Sequence, residues 1–81
     1  MTRTISVRYF AALREQRGLA QERLATTAGD AAGLYAELRG RHGFTLPAER
    51  LRVAVNDEFA SWTTELREGD ALAFLPPVAG G

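Results

Sequence analysis

The chain contains neither cysteine nor lysine, and its only histidine is His42. Without cysteine there is no disulfide, no thiolate nucleophile and no Cys-ligated metal. A lone histidine excludes a multi-histidine metal site as well, so no metal site is expected. His42 precedes Gly43 at a predicted helix end, where a cation complements the exposed carbonyls. All ten basic side chains are arginine. A coding bias toward arginine accounts for that without invoking function. The functional reading is that an acyl-activated chain gains from having no side-chain amines to intercept it, although an N-terminal amine remains.

Charge of one sign is not in excess either. Ten acidic residues balance the ten arginines, so the formal charge is zero. A general nucleic-acid binder normally carries a net basic surface, and nucleic acid is therefore not an expected partner. Long apolar runs are missing: the nearly apolar stretch 71–79 is too short to cross a bilayer and holds two prolines. Arg3 and Arg8 bracket an alternating segment rather than the apolar core of a signal peptide. The expected location is cytoplasmic, with no membrane partner.

What is present describes one small domain. Its 81 residues leave no room for a second core, and an apolar fraction of 46% is ordinary for a folded protein. Ile5, Val7 and Tyr9 alternate with Ser6, Arg8 and Phe10, the period of a half-buried strand over 3–10. Residues 11–17 favour one or two helical turns, stopped by Gly18. Residues 21–26 read as a second strand, close enough to the first to pair antiparallel. Asp30 is an N-cap for a helix whose inner face carries Leu34 and Leu38, with Ala31 and Tyr35 beside them, and Gly43 closes it.

Leu51, Val53 and Val55 alternate as the next strand, and Asn56-Asp57 supplies a turn into a short return strand at 59–62. Glu68-Gly69-Asp70 is a second turn, followed by a strand over 71–75 with Leu72 and Phe74 on one face. The order is ββαβββ or ββαββ. The predicted fold is therefore α+β, a mixed sheet packed on one main helix, with the first and last strands as parallel neighbours. Trp62 and Tyr35 read as packing residues. Asp57 and Glu58 read as solvated carboxylates at a turn rather than an acid/base pair.

Phe10 and Leu75 leave their strands on the face away from the helix and form a candidate apolar contact surface. Beside it the chain ends Pro76-Pro77-Val78-Ala79-Gly80-Gly81. Two prolines favour an extended exit from the last strand, and the final three residues have almost no side-chain bulk. A segment of that kind can enter a narrow channel and set a carboxylate deep in another protein. Gly-Gly pairs arise by chance at a given position in about one chain in 200. The pair gains meaning from the strand that runs directly into Pro-Pro ahead of it. The chemistry that fits is acyl activation of Gly81, with the enzymes that receive the tail supplying position and electrostatics.

Val7-Arg8-Tyr9-Phe10-Ala11-Ala12-Leu13-Arg14-Glu15, Ala54-Val55-Asn56 and the run from Gly69 to Gly81 resemble the small subunit of molybdopterin synthase. The most specific part is the Gly-Asp turn followed by Phe-Leu-Pro-Pro-Val-Ala-Gly-Gly; residues 19–50 add little. The resemblance implies a ubiquitin-like β-grasp over residues 1–81, with 76–81 as an extended tail. It implies that a ubiquitin-activating-type adenylyltransferase adenylates Gly81 using ATP and magnesium. A sulfurtransferase system fed by a cysteine desulfurase then makes the Gly81 thiocarboxylate, with no permanently bound cofactor. The loaded chain inserts Gly80 and Gly81 into the pocket of the large synthase subunit, in a heterotetramer. There it gives sulfur to cyclic pyranopterin monophosphate to form the molybdopterin dithiolene, the catalytic pocket lying on the large subunit. Phe10 and Leu75 match contact positions, Leu75 being aromatic in many members. Two alternatives remain: a sulfur carrier for thiazole or cysteine formation, and a ubiquitin-like protein modifier or interaction module.

Overall fold

The computed structural model of the chain describes residues 1–77. Strand β1 (Arg3–Tyr9) turns Ile5, Val7 and Tyr9 into the core. It ends one residue earlier than expected, because Phe10 is the N-cap of helix α1 (Ala11–Arg17), which Gly18 closes with φ 81°. Strand β2 (Gln21–Thr26) returns antiparallel to β1 and sets Leu24 opposite Ile5.

Helix α2 (Ala31–His42) is capped at Asp30, whose side chain accepts from the Gly33 N–H at 2.8 Å. Two more of its first amides, on Ala31 and Ala32, donate to the carbonyls of Thr64 and Trp62. A distant loop thus satisfies donors that the helix itself cannot. Gly33 and Gly40 weaken α2 by about 1 kcal/mol each relative to alanine. Leu34 and Leu38 are fully buried, each contributing about 1.5–3 kcal/mol, so packing holds the helix.

A single 3₁₀ turn, Ala48–Arg50, leads into β3 (Arg52–Val55). Asn56 and Asp57 both have positive φ, 52° and 70°, the mirror-image turn whose twist matches a tight hairpin. Strand β4 (Glu58–Ala60) follows, and then β5 (Ala71–Leu75). The sheet order is β2-β1-β5-β3-β4, with β5 parallel to β1 and antiparallel to β3. This is the expected ββαβββ sheet on one main helix, with the expected short helix α1 between β1 and β2.

The return strand is shorter than the expected 59–62. Trp62 leaves the sheet edge and stacks on Phe74, with ring centres 5.9 Å apart and planes 8° from parallel. An indole covering the core removes more apolar surface from water than one extending an edge strand. Phe74 also meets Tyr35 at 5.1 Å, so both residues read as packing residues do pack.

The cationic role expected of His42 is not favoured. Burial, with Arg17 nearby, holds its pKa below the ordinary value, and its ring lies 5.7 Å from Phe44. Gly43 alone caps the helix, its N–H donating to the Arg39 carbonyl.

A polar clasp fastens α1 to the sheet. Glu22 accepts from the Tyr9 hydroxyl at 2.6 Å and from Arg17 Nε and Nη2 at 2.9 and 2.8 Å. The Arg17 hydrogen bonds, with the Tyr9 hydroxyl helping, hold the Glu22 carboxyl at a pKa of about 2 instead of 4.5. Burial and the same carboxylate push the Tyr9 hydroxyl up. Because the folded-state pKa of Glu22 is depressed, its stabilisation is complete above pH 4.5 and is lost as pH falls toward 2. Glu22→Gln is expected to cost about 1–2 kcal/mol at neutral pH. Melting curves of the variant should fall less steeply than wild type through that acid window. Parallel curves would exclude Glu22 as the titrating group.

Candidate functional site

Period-two alternation gives the sheet two unlike faces. Leu72 and Phe74 join Leu13 of α1 and Leu34 and Leu38 of α2 in a single core, so both helices cover the same side. Ala71, Ala73 and Leu75 therefore lie on the open side. Register places the rest: Arg52 is opposite Leu75, and Ala54 and Arg8 flank Ala73. Phe59 stands opposite Ala54.

Tyr9 pairs with Phe74, so Phe10 and Leu75 are each one residue beyond that pair, at the same end of the sheet. The fold brings them to neighbouring strand ends without joining them in one pocket. Leu75, half-buried, lines an open groove of about 660 Å³ on the β3 side of β5, with Pro76, Pro77 and Phe59 as apolar lining and Glu49, Arg50 and Arg52 as charged lining. Phe10 stands on the β1 side, 36% exposed, with the Arg8 guanidinium 5.7 Å from its ring centre.

Phe10 is out of character locally. The N-cap of a helix favours Ser, Thr, Asp or Asn, and Phe10 makes no side-chain capping bond to α1.

Of the expected tail positions, Pro76 is half-buried and Pro77 exposed, directly after the central strand β5. Val78, Ala79, Gly80 and Gly81 lie outside the described residues. Phe59 was not singled out as a site residue by sequence. It is 69% exposed, with the Arg52 guanidinium 5.6 Å from its ring centre. The parity of the hairpin was the available signal: once Ala60 faces inward with Val53, Phe59 must face out.

The surface so assembled offers apolar contact and positive charge around a fixed root for the tail. A family model for the ThiS family matches residues 7–81 of the chain. The chain belongs to the ThiS family, the ubiquitin-like sulfur carriers. Among solved structures, a Pyrococcus furiosus protein described as molybdopterin converting factor subunit 1 matches at 29% identity and TM-score 0.79, covering 94% of this chain and 99% of that one. The complex of subunits 1 and 2 of the molybdopterin-converting factor from Helicobacter pylori contains a match at 30% identity and TM-score 0.65, covering 96% and 99%. The small archaeal modifier protein 1 of H. volcanii matches at 27% identity and TM-score 0.74, covering 94% and 99%. Among curated proteins, none matches. The fold is the ubiquitin-like β-grasp of these ThiS-family neighbours. Among the described residues, no helix is long and apolar enough to cross a membrane.

Proposed function

We propose that this ThiS-family chain is the sulfur carrier subunit of molybdopterin synthase. The observation that carries the reading is the root of the tail. β5 is held between β1 and β3 and runs directly into Pro76-Pro77, beside the rim made by Phe10, Leu75 and Phe59. The Helicobacter pylori relative, which occurs in complex with a subunit 2, supports a two-subunit assembly.

In this reading an adenylyltransferase joins the Gly81 carboxylate to AMP, releasing pyrophosphate from magnesium-bound ATP. The terminal sulfur of a persulfide on the sulfurtransferase or cysteine desulfurase system then attacks the acyl carbon and displaces AMP, and a thiol reductant cleaves the resulting acyl disulfide to leave the Gly81 thiocarboxylate. The large subunit takes the loaded tail into its pocket and transfers sulfur to cyclic pyranopterin monophosphate. The chain's own contribution is to dock and to place one reactive atom. Reconstitution tests this: thiocarboxylated chain, purified large subunit and the pyranopterin should yield the dithiolene. Thiocarboxylated protein that binds the subunit and yields none would refute the pathway.

Similarity to a small archaeal modifier protein supports a second reading, attachment of Gly81 to lysines of other proteins. Intact-mass analysis of the chain from cells making the cofactor separates the two. Exchange of one oxygen for sulfur marks a carrier, whereas isopeptide adducts mark a modifier.

Phe10→Asp should weaken large-subunit binding by about 2 kcal/mol, roughly 30-fold, as expected for a buried aromatic anchor. Asp is a favoured N-cap, so the melting temperature should hold or rise. An unchanged Kd by titration calorimetry would remove Phe10 from the interface.

A further inference from the structure

We infer that the open face of the sheet is an electropositive docking surface, made for a partner protein that presents carboxylates. The chain as a whole is neutral, with ten arginines and ten acids. The sheet nevertheless sorts them. Arg8, Arg23 and Arg52 occupy open-face positions, since Arg23 pairs with Ser6 and Arg8 and Arg52 flank the Ala73–Leu75 row. No Asp or Glu occupies a strand position on that face; the nearest acids are at its margins, Glu49 in the groove beside Arg52 and Glu68, which accepts from the Thr4 N–H. The two strand glutamates point the other way, Glu22 opposite Val7 and Glu58 opposite Val55.

Among the described residues none of these three arginines is in an ion pair. The ion pairs among the described residues are Arg17–Glu22 and Arg41–Glu37, and neither lies on the open face. Arg8 and Arg52 instead rest over the exposed rings of Phe10 and Phe59. A guanidinium stacked on a ring keeps its edge donors free for a carboxylate and is already oriented when one arrives. Between the charges lie Ala54, Ala73 and Leu75, a small apolar floor suited to protein packing. A zero net charge and only three cations favour an acidic protein surface over a nucleic-acid backbone.

The inference rests on the carrier reading only for its first probe, the large synthase subunit. In stopped-flow mixing with that subunit at about 0.02 M salt, Arg23→Glu/Arg52→Glu should associate about 10-fold or more slowly than wild type. The gap should close near 1 M salt, where the Debye length is about 3 Å. Equal rates at low salt would overturn the inference while leaving the carrier reading intact. If the subunit fails to bind at all, the carrier reading fails and a second measurement decides. In NMR titrations at low salt, a hexaglutamate peptide should shift the amides of Arg8, Arg23, Arg52 and Ala73 ahead of those of Arg14, Arg39 and Arg41. Hexalysine should leave the face unmoved. Shifts spread evenly over all arginines, or tighter binding of a ten-nucleotide oligothymidylate at the same face, would overturn the inference.

Discussion

Removing Gly81 is expected to abolish sulfur transfer while leaving the domain's melting temperature unchanged. Among the described residues the core runs from Ile5 to Phe74, and a glycine has no side chain to bury, so the truncation is expected to leave that packing intact. The shortened chain still ends in a glycine with a carboxylate, yet that group stops about 3.5 Å short of its former reach. A misplacement of 1 Å can cost about 100-fold in rate, so a full residue should reduce turnover by at least that factor. Mass spectrometry after incubation with the activating and sulfur-delivering enzymes reads the loading step. Dithiolene formation with the large subunit reads the transfer. Transfer at the wild-type rate by the truncated chain would show that sulfur is not carried on Gly81.

Phe74→Ala should be the most destabilising single substitution, with a loss of about 3–5 kcal/mol. Phe74 is fully buried in β5, meets Tyr35 at 5.1 Å and stacks on Trp62 at 5.9 Å. The alanine would empty the junction between the sheet, α2 and the loop that carries Trp62. A domain of this size holds roughly 4–12 kcal/mol in all, so the variant would be marginal or unfolded. Trp62 is the only tryptophan and reports directly on the site. Its fluorescence during denaturant unfolding should show a large fall in midpoint, whereas Phe74→Leu should lose less than about 1.5 kcal/mol. A loss below about 1 kcal/mol for the alanine would contradict this account of the core.

The positions of these residues were readable to unequal degrees. Ile5-Val7-Tyr9 and Leu72-Phe74 announce their strands because alternation is a local property, and Asp30 and Gly43 announce the ends of α2 in the same way. The parallel pairing of β1 with β5 followed from the crossover helix. Trp62 was misplaced because its position depends on a gap over Phe74 that only tertiary packing creates. The Tyr9–Glu22–Arg17 clasp joins three elements and leaves no periodic trace. Phe10 was legible as outward-facing, and the expected helix over 11–17 began directly after it, but the lack of a capping bond from its side chain is visible only in the structure. Phe59 was hidden by a three-residue strand too short to display a period. The sorting of arginines onto one face leaves no mark in the balanced composition, since a sum over the chain carries no information about which face each charge occupies.

The middle position of β5 has a mechanical consequence. A pull on the tail along its strand axis would load the hydrogen bonds to β1 and β3 together, in shear, rather than opening them one at a time from an edge. Under the proposed function, a partner that held the chain's end would therefore load the sheet in its strongest direction and leave the rest of the molecule as a rigid handle.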